Sequence, residues 1–324
     1  MTPRFIAPVA LAVASVLVLA GCASGAAAPD STDDGALEVV ASTNVYGDIA
    51  AAIGGENVEV TSIIDSLAQD PHSYEASARD QLTVSRADLV IENGGGYDAF
   101  MDTLVDATGT EAPVITAVEF SHDWPENEGH ADEADDHADE ADHEGHDHVE
   151  GFNEHVWYDP HTIAHVAEEI AHELGELDPA NAATYEENYA TFAAGIDDIE
   201  ASLDEIATAH AGAQVFVTEP VPLYLTAAAG LENVTPDAFS EAVEEGQDVP
   251  PATLLEATRI LQSGTVRAVI VNAQTGGAET TEVTEQAKDA DIPVLEFTEL
   301  LPAGDTYLTW MQANVDALAG TLAQ

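Results

Sequence analysis

The segment LEVVASTNVYGDIAAAIGGENVEVTSII, residues 37–64, decides the fold because it contains a complete strand–helix–strand unit. Its first seven and last seven residues include several β-branched residues, which is typical of strands. Between them, VYGDIAAAIGG (45–55) has helical apolar spacing and ends in Gly54-Gly55, a common helix-stop signal. Two apolar strands joined by a helix lie parallel in one sheet, so the segment predicts an α/β fold.

The same alternation continues along the chain and predicts two α/β lobes, each with a parallel sheet flanked by helices. The other predicted helices lie at 77–87, 97–108, 222–231, 250–264, 280–290 and 305–323. The other predicted strands lie within 87–96, 112–120, 214–219, 267–274 and 293–299.

A long amphipathic helix is predicted between the two lobes, over residues 179–211. A helix of about thirty residues spans about 45 Å, which is enough for a rigid strut between two lobes. The predicted domains are therefore an N-terminal lobe over 36–178, this linking helix, and a C-terminal lobe over 212–324.

The N-terminal lobe is interrupted by an acidic, histidine-rich segment at 121–150. It has too few large apolar residues to offset the entropy of ordering, so we predict a mobile loop. Dense carboxylates and imidazoles suit divalent metals, although an acidic spacer with incidental histidines is the alternative. The loop histidines predicted to capture metal are His130, His137, His143, His146 and His148.

The N-terminus carries the signals of an exported lipoprotein. Residues 1–21 contain one arginine followed by an apolar run, as an export signal does. Leu19-Ala20-Gly21-Cys22 resembles a bacterial lipobox, which predicts lipidation of Cys22 and a flexible tether over 22–35. The alternative is a plain secretory signal with a chance cysteine.

The charge balance excludes some partners. The chain has 62 Asp+Glu against 6 Lys+Arg, a formal net charge of −56. No basic patch is available to neutralise phosphates, so nucleic acid is not expected as a partner. The charge also opposes adsorption to anionic lipid, so a lipid anchor would have to hold the protein at a membrane.

Several metal-binding residue types follow predicted strands or the acidic segment. His72 lies in a loop after a strand, His155 follows the acidic segment, and Glu219 and Glu299 end strands of the second lobe. Two imidazoles and two carboxylates neutralise a divalent cation, which would lie in the cleft between the lobes. Singly, each residue is equally well explained as a loop histidine or a solvated carboxylate. Spacing alone does not select these four.

The chain resembles the zinc/manganese solute-binding proteins of bacterial ABC importers, the cluster A-I family, over nearly its whole mature length. The matching segments, besides the His/Asp loop, are DPHSYE (70–75), ADLVIENGGG (87–96), HVWYDP (155–160), VTEPVPLYL (217–225) and EFTELLPAGDTYLTWMQANVDAL (296–318). The resemblance implies two α/β lobes joined by a long helix. It also implies a monomer that works with a permease and an ATPase from the extracytoplasmic face of the cell membrane, held there by its lipid anchor.

The resemblance also implies the metal ligands. His72 and His155 match the two histidines that bind the metal in this family. Glu219 takes the third place, where zinc-type members often have histidine and manganese-type members have glutamate. Glu299 takes the fourth place, where the family usually has aspartate. The histidine-rich loop favours zinc as the transported metal, whereas Glu219 favours manganese, which stays the alternative.

Two other classes of protein are alternatives. A secreted zinc hydrolase would need a helix motif, but His172-Glu173-Leu174-Gly175-Glu176 has glutamate where HExxH has its second histidine. His161 and His165 are four apart and could pair on a metal, although a solvated helix face explains them too. We therefore expect no enzyme activity. A surface adhesion or metal-buffering protein without a transporter stays open.

Overall fold

Two parallel sheets and a long helix between them form the framework of the protein. The computed structural model describes residues 35–125, 127, 149 and 151–323. The predicted signal peptide, nearly all of the tether, Cys22 and the five loop histidines lie outside the described residues.

The described part of the first lobe has four strands and four α-helices. Its strands are β1 (Leu37–Thr43), β2 (Val58–Ile64), β3 (Leu89–Glu92) and β4 (Val114–Thr116). Its helices are α1 (Asn44–Gly54), α2 (Ala78–Val84), α3 (Phe100–Thr108) and α4 (Pro160–Leu177). The strands are all parallel in the order β2-β1-β3-β4.

The second lobe repeats this arrangement after α5 (Ala182–His210). Its strands are β5 (Gln214–Val217), β6 (Glu232–Asn233), β7 (Val266–Asn272) and β8 (Val294–Phe297). Its helices are α6 (Leu223–Ala228), α7 (Asp237–Glu244), α8 (Pro251–Leu261), α9 (Ala278–Asp289) and α10 (Tyr307–Leu322). The strands are again parallel, in the equivalent order β6-β5-β7-β8.

The predicted fold class is confirmed, with differences at element ends. The strands predicted over 214–219 and 293–299 end two residues early, at Val217 and Phe297, so Glu219 and Glu299 lie on loops. Sequence reasoning missed β6 and α7, which have only 2 and 8 residues and therefore show little periodicity. The lobe boundaries at residues 178 and 211 stay predictions.

The long helix α5 has 29 residues and packs against helices of both lobes, α1 and α4 of the first and α6 and α10 of the second. Its buried stripe is Tyr185, Phe192, Ile196, Ile199, Leu203 and Ile206, with the three- and four-residue spacing of an amphipathic helix. These side chains belong to one apolar cluster that also contains strand residues of both sheets. The helix is therefore part of a continuous core and not an exposed tether.

Direct hydrogen bonds also cross between the lobes. Tyr158 Oη donates to Thr298 O at 2.7 Å, and Tyr307 Oη donates to Trp157 O at 2.8 Å. The Asn44 side chain accepts from Leu301 N at 3.0 Å. Because these donors and acceptors are buried or partly buried, the bonds fix the two lobes where their loops meet.

Candidate metal centre

His72 lies on a short helical turn, Pro71–Ser73, that follows β2. The Asp70 carboxylate caps the turn, accepting from His72 N at 3.0 Å and from Ser73 Oγ at 2.8 Å. Asp70 therefore fixes the backbone from which the imidazole projects. The His72 ring meets the ring of Tyr97 edge-on, with 4.9 Å between centroids.

His155 is fully buried, and its neighbours indicate its tautomer. Asn153 Nδ2 donates to Pro220 O at 3.2 Å, so the other atom of this amide, Oδ1, is an acceptor. That oxygen lies 2.8 Å from His155 Nδ1, which assigns the ring proton to Nδ1. Nε2 then presents a lone pair, as a metal ligand must, and the Asn153 contact orients the ring. The ring centroids of His72 and His155 are 6.0 Å apart.

Glu219 and Glu299 follow β5 and β8 and are held by one residue, Asn272, at the end of β7. Asn272 Nδ2 donates to Glu219 Oε2 at 2.9 Å and makes a second bond to Glu299 Oε1. Thr275 Oγ1 donates to the other oxygen of Glu219. Both carboxylates are 3% exposed. They lie beyond the carboxyl ends of the second sheet, where parallel sheets bind ligands.

Tyr97 connects the two halves of this constellation. Its ring contacts both imidazoles, with centroid distances of 4.9 Å to His72 and 5.8 Å to His155. Its hydroxyl donates to Glu299 Oε2 at 3.4 Å. The four sequence-predicted residues are therefore placed around one buried region between the lobes.

Among the described residues, one compact group of potential ligands has a different membership. One ligand atom from each of His72, Glu154, His155 and Glu244 lies within 4.8 Å of the others. Glu244 Oε1 is 3.6 Å from His155 Nε2. Glu244 has no signal in the sequence, because it ends a helix that was not predicted, α7, in a chain with 62 acidic residues. Glu154 could have been found from the sequence, because it directly precedes His155.

Burial raises the pKa of the acids in this region, because removing a carboxylate from water penalises its charged form. Burial, with repulsion from Glu154 and Glu219, raises the pKa of Glu244 to about 9. Burial and repulsion from Glu219 raise the pKa of Glu299 to about 8. The pKa of Glu219 is raised by burial, against the lowering effect of hydrogen bonds from Thr275 and Asn272.

This arrangement is suited to binding a cation. Two imidazoles and several buried acids lie close together, and the acids repel one another. A bound divalent ion would relieve that repulsion.

Comparison with known families supports this chemistry. A family model described as ZnuA, the periplasmic component A of a zinc-uptake complex, matches residues 39–321. The chain belongs to the ZnuA family.

As a ZnuA-family member, the protein is a metal-binding, substrate-binding component of an ABC transporter. This result confirms the resemblance identified in the sequence. Similar proteins include the manganese ABC transporter substrate-binding lipoprotein PsaA of Streptococcus mitis, 28% identical over 329 residues and 96% of each chain. The iron ABC transporter substrate-binding lipoprotein MtsA of Streptococcus pyogenes serotype M1 is 26% identical over 326 residues and 96% of each chain.

A solved structure has the same fold as this ZnuA-family chain. The periplasmic zinc-binding protein TroA from Treponema pallidum matches with a TM-score of 0.69 at 18% identity, over 90% of this chain and 100% of that one. Within the described ranges, no helix has both the length and the apolar character that crossing a membrane requires.

Proposed function

We propose that this ZnuA-family protein captures a divalent transition metal, with zinc favoured, and delivers it to the permease and ATPase of an importer. The observation that supports the proposal is that Tyr97 contacts both His72 and His155 through its ring and donates through its hydroxyl to Glu299, a buried carboxylate of the other lobe. The role is binding and release, without enzyme activity.

The proposed ligands are His72, His155, Glu219 and Glu299. Metal-ligating carboxylates are usually held by hydrogen bonds outside the ligand shell, and Asn272 supplies such bonds to both glutamates. Two ionised carboxylates already neutralise a divalent ion, so Glu244 is not needed as an anion. Its Oε1 lies 3.6 Å from His155 Nε2, and burial raises its pKa to about 9.

Zinc is the favoured metal, and manganese is the alternative. Zinc accepts imidazole and carboxylate ligands in tetrahedral shells, and the five loop histidines add imidazole ligands. The carboxylate at Glu219 and the relatives named for manganese and iron favour a harder ion. We retain zinc because the chain offers many imidazoles and only one of the four ligand positions argues against it.

The transported metal can be tested by growth. A strain lacking this gene and starved by a chelator is expected to recover with added zinc when the gene is restored. Recovery only with manganese would contradict the zinc assignment. Equal growth with and without the gene under every metal would contradict the transport role itself. Binding titrations alone do not decide, because zinc binds more tightly than manganese at most nitrogen and oxygen sites.

Zinc binding is expected to release protons. At pH 7, Glu299 with its pKa of about 8 is largely protonated in the metal-free protein, and a ligand must be a carboxylate. Affinity should therefore rise with pH up to about 8 and fall as pH falls. Calorimetry in buffers with different ionisation enthalpies measures the released protons. Buffer-independent heats at pH 7 would contradict a protonated buried acid in the binding site.

The acidic loop is proposed to collect metal at weak sites, as part of the same function. Deleting residues 126–148 is expected to remove weakly bound zinc and to leave one tightly bound ion. Ordering a segment of this composition costs entropy, so the loop histidines should bind zinc with lower affinity. The number of zinc ions bound per protein, measured by equilibrium dialysis, distinguishes the weak sites from the tight site. Loss of the tight ion in the deletion variant would mean that the tight site is not in the lobes.

We further propose that the protein is a monomer held by a lipid on Cys22 at the extracytoplasmic face of the cell membrane. The lipobox-like sequence and the relatives named as lipoproteins support this. Metabolic labelling with a radioactive fatty acid tests the anchor, with Cys22→Ser as the control.

A further inference from the structure

The exposed face of α4 carries a stripe of residue types that bind metals, separate from the proposed cleft site. His161, His165, Glu168, His172 and Glu176 follow one another at spacings of three or four residues, and all five are exposed. Residues three and four apart lie on one face of a helix, so the stripe runs along a single line. The opposite face of α4 is buried in the core.

His161 and His165 form a pair at one end of this stripe. Their rings are 4.9 Å apart between centroids, at an angle of 89°. Their side chains are 66% and 48% exposed, so both rings can turn without disturbing the core. Two histidines at this spacing on one helical face can bind the same metal ion, as in helix-borne zinc motifs.

A carboxylate of the neighbouring helix, α5, lies close to His161. Glu200 Oε1 lies 3.8 Å from His161 Nδ1. A nitrogen and an oxygen that each bind zinc at about 2 Å are roughly 3–4 Å apart, so this separation fits a shared ion. Because α4 and α5 pack against each other, the carboxylate is supplied by a second, fixed element.

We propose that His161, His165 and Glu200 form a second metal site on the outer surface of the first lobe. Two imidazoles and one carboxylate suit a borderline divalent ion, such as zinc, with water completing the shell. Because this site is exposed and has fewer protein ligands, it is weaker than the cleft site. The strongly negative chain raises the local concentration of cations around it.

Histidine modification with diethylpyrocarbonate tests this site in the full chain. The reagent is applied at several buffered concentrations of free zinc, and mass spectrometry reports each histidine separately. His161 and His165 are expected to become protected together, with one midpoint. His172 is the internal control, because it lies on the same helix with Glu176 at 3.7 Å but with no second histidine one turn away. Protection of His161 no stronger than that of His172 would overturn the proposal.

Three variants test which residues share the ion. His165→Ala should raise the zinc concentration that protects His161 by at least about tenfold, since even residues outside a ligand shell affect affinity on that scale. Glu200→Gln should raise the protecting zinc concentration for both His161 and His165, whereas His172→Ala should change it for neither. Unchanged protection of His161 in His165→Ala would overturn the shared site, and unchanged protection in Glu200→Gln would overturn the role of Glu200.

Discussion

Replacing His72 by alanine is expected to abolish tight zinc binding and to leave the protein folded. His72 is one of only two imidazoles proposed for the cleft site, and it lies on a turn outside the sheet. Even partners outside a ligand shell change affinity by 10–100-fold, so loss of a ligand should weaken binding by about 100-fold or more. Competition against a zinc-binding dye measures the affinity, and circular dichroism measures the fold.

His155 requires a second variant because it is fully buried. Alanine there leaves a cavity beside Tyr97 and Trp157, which lowers stability independently of the metal. His155→Gln keeps most of the side-chain volume and should lose tight binding with a smaller loss of stability. His172→Ala is the matched control, since it removes an exposed histidine. Tight binding that survives in both His72→Ala and His155→Gln would contradict the proposed site.

Removing the charge of Glu219 or Glu299 is expected to have the second largest effect. Glu219→Gln and Glu299→Gln keep the shape of each side chain but leave the ion with one neutralising carboxylate. Each should weaken zinc binding by about 100-fold, by the same reasoning as for the histidines. Glu244→Gln should have a smaller effect, because Glu244 is not one of the four proposed ligands and the other two carboxylates already neutralise the ion. Calorimetric titration of the three metal-free variants with zinc measures their affinities.

The same series distinguishes two ligand sets. If Glu244→Gln removes tight binding while Glu219→Gln and Glu299→Gln keep it, the ligands are those of the compact group that includes Glu154 and Glu244. A further variant, Glu219→His, bears on the metal. It should keep or raise zinc affinity and lose most manganese affinity, because imidazole suits zinc and carboxylate suits manganese.

Much of the fold could be predicted because its signals are local. The strands around Val39 and Val269 are short apolar runs, and the α5 stripe repeats at helical spacing over 29 residues. The N-cap of α4 is also local, since Asp159 accepts from His161 N and precedes Pro160. Each of these features depends on residues close together in the chain.

The candidate site was harder to predict because it depends on distant contacts. Asn272 has no local signal for holding two carboxylates that lie 53 and 27 residues away in the chain. Glu244 is hidden among many acids, and its position depends on how the short α7 packs. Resemblance to a family could select Glu219 and Glu299, but only the three-dimensional arrangement places Glu154 and Glu244 beside the histidines.

The most direct test is a crystal structure of the zinc-loaded protein, with anomalous diffraction recorded on both sides of the zinc absorption edge. The proposed site predicts one strong zinc peak between the lobes. It should lie about 2.0–2.2 Å from a nitrogen of His72, Nε2 of His155 and oxygens of Glu219 and Glu299. A peak bonded to Glu154 and Glu244 instead of Glu219 and Glu299, or no peak between the lobes, would contradict it.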